Sequence, residues 1–306
     1  MQMTEQCLQE IIQILGEGNV LRDEPMAAHT SFRVGGPADV FVRVESEDAL
    51  RQVLSLLRDE GEPYYLLGRG TNLLVGDHGY RGCIITLGGP SMTEVTFDGT
   101  RVTAGAGETL AALSVLARDG GLSGLEFASG IPGSVGGALV MNAGAYGGSM
   151  DQVVVSAQLL MPDDSVQEVT AADLHFGYRQ SLLKEVPAIA LQVTMELRSS
   201  DPKVIGAKMR ELAAKRSEKQ PLEYPSAGST FKRPEGMFAG KLIMDAGLRG
   251  FSIGGAAVSE KHCGFIINKG GASAADVRAV IGAVRRRVYE MSGVMLEEEV
   301  IELGEF

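Results

Sequence analysis

The sequence predicts an α+β protein in two parts, a strand-rich unit reaching about residue 200 and a smaller unit after it. Three observations carry this reading. Short apolar runs rich in β-branched residues and bounded by glycine, proline, asparagine or aspartate recur from Ala38 to Leu197. Beyond Asp201 the texture changes to a strongly charged helix and a proline-bearing loop. The length of 306 residues, with 44% hydrophobic and 22% charged side chains, suits about two globular domains.

Each element follows in order. A first helix covers Glu5 to Leu15, and ADVFVRV (38–44) reads as a strand. A helix around Asp48 to Arg58 precedes the strand Tyr64 to Gly68, the turn RGTN and the apolar run LLV. CIITL, TEVTF, a DGT turn and RVTAGAG continue the strands, and a helix from about Thr109 to Ala117 leads into GIPGSVGGALVMNAGAYGG (130–148). Strands resume with VVVSAQLLM, VQEVT and AIALQVTMEL. Residues 202–219 read as a charged, exposed helix with proline in its first turn. The last hundred residues read as a helix (AGKLIMDAG), a strand (FSIGGAAVS), a strand (CGFIIN), a long helix and a final strand (VMLEEEVIEL). The long helix sets Val277, Val280, Ile281, Val284 and Val288 on one face, with Ser273 and Asp276 placed as its cap. Its Arg285, Arg286 and Arg287 read as a solvated face.

Composition narrows the function. A net charge of −11 opposes a nucleic-acid or anionic-membrane surface, since phosphate binding needs a basic footprint. Cys7, Cys83 and Cys263 form no CxxC pair and no histidine stands at zinc-ligand spacing, so reduced thiols and no structural metal are expected. No run of eighteen apolar residues occurs, and the N-terminus lacks a basic segment ahead of its apolar positions. The expectation is a soluble, cytoplasmic protein.

Two glycine clusters, GRGTN (68–72) and the 130–148 stretch, ask for a ligand. Glycine costs roughly 0.5–1 kcal/mol relative to alanine inside a helix or strand, and its use here lets main-chain N–H groups approach a bound group closely. No G-x-x-x-x-G-K-[ST] is present, and Gly68 to Leu73 ends in leucine where a Rossmann turn needs a small residue before a helix. A single such loop is as readily a turn; two, without acidic residues in them, favour a dinucleotide-like cofactor.

HTSFRVGGPAD (29–39), GRGTNLLV (68–75), SGIPGSVGGALVMNAGAYGG (129–148), YRQS (178–181), PSAGSTFKRPEG (225–236), AGKLIMDAGLRG (239–250), KHCGFIIN (261–268) and LEEEV (296–300) resemble, in order, UDP-N-acetylenolpyruvoylglucosamine reductases of the MurB type. The resemblance spans nearly the whole chain. It implies a vanillyl-alcohol-oxidase (PCMH) type FAD domain of two α+β subdomains over residues 1–201, split near 90–100, and an α+β UDP-sugar domain over 202–306. It implies non-covalent FAD held by Gly68, Arg69, Gly70, Thr71 and Asn72 of the first loop. From the second come Ser129, Gly130, Ile131, Pro132, Gly133, Ser134, Gly136, Gly137, Asn142, Ala143 and Gly144. His29, His78, His175 and His262 lie outside both loops, so no covalent flavin link is expected.

The implied reaction is the NADPH-dependent reduction of UDP-N-acetylglucosamine enolpyruvate in peptidoglycan precursor synthesis. Ser229 in AGSTF matches the family's proton donor, Arg179 in YRQS the arginine that stabilises the enolate, and Glu299 the catalytic glutamate. Strand alternation sets Glu297 and Glu299 on one face and Glu298 on the other. Tyr146, Tyr178, Lys232 and His262 are the substrate-side candidates. The chain departs from the family at Arg69, inside the first loop, and at Ile301, where many relatives carry arginine. No insertion separates AGSTF from KHCGF, as in the shorter subtype. Two other readings stand beside this one: a flavin oxidase of the same superfamily, and a nucleotide-sugar binding protein without turnover.

Overall fold

Residues Val20 to Leu87 build the first of the two principal sheets in the computed structural model, which describes residues 3–306. The strand order is Val20–Pro25, Pro37–Val44, Tyr80–Leu87, Tyr64–Leu67; the first pair is antiparallel and the others parallel. Helices α1 (Glu5–Leu15) and α2 (Glu47–Asp59) cover one face, where Ile11, Leu50, Val53 and Leu57 meet Val42 and Ile85. Thr4 and Ser46 start these helices by accepting the N–H groups of Cys7 and Ala49. The opposite face carries Met26, Phe41, Leu67, Leu73 and Ile84, so these strands are apolar on both sides.

The second sheet, entirely antiparallel, runs Val166–Thr170, Val154–Leu160, Ile189–Glu196, Arg101–Gly105, Val95–Asp98. The short helix α3 (Pro90–Thr93) lies between the two sheets in sequence. Helices α4 (Leu110–Asp119) and α5 (Val135–Val140) share the second sheet's core, with Leu110, Leu113 and Leu139 against Val102, Val193 and Met195. The charged helix α6 (Pro202–Lys219) packs back on α4 and on the turn Glu126–Ala128, burying Ile205, Gly206 and Leu212.

A third unit joins α7 (Ala239–Asp245), a small sheet and α8 (Ala274–Ser292). The predicted apolar face of α8 is buried, and Ser273 and Asp276 form a reciprocal capping box. The long helix's Arg285 is anchored to Glu298 at 2.7 Å rather than simply solvated, while Arg286 and Arg287 are exposed.

Two expected strands take a different form. FSIGGAAVS is a hairpin, Ser252–Ile253 against Ala256–Val258, because Gly254 turns the chain with φ of 51°. The final strand contracts to Ile301–Leu303, parallel to Leu73–Val75. Upstream, Glu297 and Glu299 bond the loop at Thr230–Lys232 instead. With partners on two different units, residues 294–303 cannot form one continuous ladder.

The units interlock. Phe32, Val34 and Leu74 sit in the core of the third unit. Asn268 donates to the Phe32 carbonyl at 3.0 Å, and Asp77 accepts the Ala274 and Ala275 N–H groups at 2.7 and 2.8 Å, at the start of α8.

Candidate active site

The two glycine clusters face each other. A Cβ at Gly68 would stand 2.7 Å from the Ser134 hydroxyl, and one at Gly70, with φ of 61°, would overlap the His29 carbonyl. Ser134 caps α5 by accepting the Gly137 N–H at 3.2 Å, and Gly136 donates to the Ala106 carbonyl at 2.9 Å. Glycine is therefore required here for backbone approach as well as for any ligand.

Between these loops lies a cleft of about 930 Å³, running from Asn19 and Arg43 to Gly68 and Ser134. It shares Gly68, Arg69, Ser134 and Gly137 with a second cavity of about 640 Å³ that reaches Arg179, Ser229 and Glu299. An elongated cleft whose two loops bring glycine backbone and no carboxylate to its walls fits a dinucleotide with a pyrophosphate at its middle. Of the expected cofactor residues, all but Ser129, Gly130 and Asn142 line one cavity or the other. Ser129 donates to the Glu126 carbonyl, Gly130 abuts Arg216, and the Asn142 amide donates to Gly177 and accepts from Asp151. His29 is the histidine that lines the cleft, its Nε2 2.7 Å from Glu24 and its ring stacked on Phe41 at 4.1 Å.

Three side chains expected to do chemistry reach the second cavity together. Arg179 stands at the tip of the turn Gly177–Gln180 with φ of 56°, a left-handed conformation that costs a non-glycine residue energy. Asn142 holds the Gly177 carbonyl and Lys184 holds that of Arg179. The Arg179 Nε donates to Glu299 Oε1 at 2.5 Å, with side chains only 22% and 11% exposed. Ser229 follows Gly228 (φ 75°) and precedes the fully buried Thr230, whose N–H donates to Gly264 and whose hydroxyl accepts from Ile266. Each of the three consecutive glutamates has its own cation: Glu297 takes Lys232, Glu298 takes Arg285 and Glu299 takes Arg179.

The four substrate-side candidates stand off the cavity lining. Tyr146, with φ of 53°, is exposed; Tyr178 lies under the Arg179 guanidinium at 5.2 Å and accepts the Arg233 N–H. Lys232 is paired at 3.0 Å with Glu297. His262 uses Nδ1 to accept the Gly264 N–H, and burial pushes its pKa below the ordinary histidine value.

Arg33, Lys184 and Arg216 are additional cations at or beside the site. Arg216 projects from α6 into the cavity lining, and burial lowers its pKa. Lys184 is lowered too, by burial first and then by Lys232. Periodicity gives no hint of Arg216, because α6 is mostly charged and carries only a sparse apolar face, buried at Ile205 and Leu212.

Residues 38–170 match the FAD binding domain family, and residues 220–303 match the UDP-N-acetylenolpyruvoylglucosamine reductase, C-terminal domain. A UDP-N-acetylenolpyruvoylglucosamine reductase of Agathobacter rectalis is 50% identical, over 99% of this chain and 100% of the relative. The chain belongs to the UDP-N-acetylenolpyruvoylglucosamine reductase family. The enzyme of that name from Clostridioides difficile is 47% identical over 96% of this chain and 97% of its own. The crystal structure of the UDP-N-acetylenolpyruvylglucosamine reductase (MurB) from Thermus caldophilus superposes with a TM-score of 0.79 at 36% identity, covering 93% and 98% of the two chains. This member of the reductase family is thus an FAD-dependent oxidoreductase with a PCMH-type flavin domain. At the departure from the family pattern, Ile301 pairs with Leu73 and packs beside the apolar cluster under the first sheet.

Proposed function

We propose that this enzyme reduces UDP-N-acetylglucosamine enolpyruvate to UDP-N-acetylmuramate in the cytoplasm, with NADPH as reductant. The observation that carries the reading is the joint placement of Arg179, Glu299 and Ser229 on a cavity that opens into the flavin cleft. The two glycine loops would hold FAD, which would supply the hydride equivalent for reduction of the enol ether at C3.

The residues supply the rest. Negative charge grows at C2 and on the adjacent carboxylate, and the planar Arg179 guanidinium opposes it from a site where water is largely excluded. Glu299 fixes the guanidinium through Nε, leaving its remaining N–H groups for the substrate. The Ser229 hydroxyl delivers a proton to C2, so the double bond gains one hydride and one proton. Lys232, Tyr146, Tyr178 and His262 serve the UDP-sugar side from outside the cavity lining, and Arg216 adds a cation to the lining itself. The FAD part is assigned to 1–201 and the substrate part to 202–306, with α6 packed across their junction.

The test is anaerobic spectroscopy of the flavin-loaded protein. NADPH is expected to bleach the flavin bands, and UDP-N-acetylglucosamine enolpyruvate to restore them. Recovery only with oxygen, or a protein that takes up no flavin, overturns the proposal. Ser229→Ala should still bleach and lose at least about a hundredfold in the rate of recovery.

A further inference from the structure

Glu299 is held through its backbone as well as its carboxylate. Its N–H donates to the Thr230 carbonyl at 2.9 Å, next to Ser229, and its own carbonyl accepts the Asn72 Nδ2 at 2.9 Å. The main-chain carbonyl of Asn72 accepts the Ile301 N–H at 3.0 Å. Asn72 therefore grips residues 299 and 301 from the end of the first glycine loop, where the parallel pairing of Leu73–Val75 with Ile301–Leu303 begins.

From this juxtaposition we propose that Asn72 is a positioning residue for Glu299, setting the Arg179–Glu299 pair in register with the flavin cleft. The inference rests on the reduction proposed above. Residues 294–300 make only the isolated antiparallel bridge of Glu298 with Phe231, so no extended ladder fixes Glu299 along the chain direction. Two bonds do this instead, one from the loop that carries Ser229 and one from the loop that borders the cleft. The second needs a donor at the end of a short side chain. Aspartate offers none when ionised, leucine has the shape without the donor, and serine is too short to reach. Without the bond, the partly buried Glu299 carbonyl loses its partner, and the carboxylate shifts against a guanidinium that it meets at 2.5 Å. A displacement on the order of an ångström slows a positioned reaction by up to about a hundredfold.

The test separates the two half-reactions in an anaerobic stopped-flow experiment, with Asn72→Leu, Glu299→Gln and the double variant, each loaded with FAD. Asn72→Leu is expected to be reoxidised by UDP-N-acetylglucosamine enolpyruvate about ten- to a hundredfold more slowly than the parent, a larger fall than that in its reduction by NADPH. The pH profile of reoxidation should change, and in the Glu299→Gln background the added loss should shrink below about threefold. Equal slowing of both half-reactions, or an undiminished loss on Glu299→Gln, overturns the proposal. If Asn72→Leu loses flavin, Asn72→Ser decides, and flavin loss by both shows that the amide serves the cofactor and overturns the proposal. Failure of the parent to be reoxidised by the UDP-sugar counts against the proposed reaction, and is seen before any variant is compared.

Discussion

Arg179 and Glu299 lie 120 positions apart, and their 2.5 Å contact joins two segments that each carry a cost. Arg179 accepts a left-handed backbone and Glu299 gives up solvent, and both costs suit the role proposed above, a guanidinium presenting fixed N–H groups to a developing charge. Glu299→Gln keeps the shape and removes the charge. We expect flavin uptake and reduction by NADPH to persist, with reoxidation by substrate falling about a hundredfold in single-turnover measurement. Lys184 gives a second expectation. Burial and the neighbouring Lys232 lower its pKa, so its positive charge is lost earlier than usual as pH rises. The KM for the anionic UDP-sugar should climb on the alkaline side, and Lys184→Met should start higher and flatten that rise. Ser229, Arg179 and Glu299 were legible through motif resemblance. Arg216 and Lys184 were not, since a cation on a polar helix or in a loop looks the same in sequence whether it faces solvent or a cavity.

At the scale of elements, local chemistry decided more. Helix α1 has the expected bounds because Thr4 caps its start and Gly16, with φ of 79°, stops it. Helix α8 follows its apolar stripe and its capping box. Ser273→Ala should lower stability by about 1 kcal/mol in urea unfolding at neutral pH. The N–H groups of Ser273 and Gly255 hold the Asp276 carboxyl below its ordinary pKa. Its contribution is thus complete above the unfolded carboxylate value and is lost as pH falls through the lower folded one. Asp276→Asn should weaken the protein at neutral pH and lose less on acidification. Where the expected elements changed form, the cause was non-local. Residues 294–300 have the β-rich, acidic pattern of an edge strand, but their partners lie on the loop at 230–232 and on Asn72. The hairpin at 252–258 turns at Gly254, where a Cβ would collide with the Asp276 carboxylate that caps α8.

The whole molecule is closed by its last residues. Ile301–Leu303 pairs with Leu73–Val75, Gly76 donates to the Leu303 carbonyl, and Asp77 sits on the start of α8. Deleting residues 301–306 should therefore disturb the first unit as well as the third, with a lower urea midpoint and earlier proteolysis near Leu73. Asp77→Ala should cost about 1 kcal/mol, the value of a lost helix cap, and increase cleavage within the third unit. The sequence by itself determined the α+β composition, the positions of the main helices and strands, and the glycine loops, because these depend on periodicity, capping and backbone sterics within a few residues. Only the tertiary structure decided that α6 packs on the preceding unit and carries Arg216 into the cavity. It alone showed that Asn72 grips Glu299 and that the C-terminal strand returns to the first unit. Those contacts join residues far apart in the chain, and they follow from which surfaces bury one another, which no local pattern encodes.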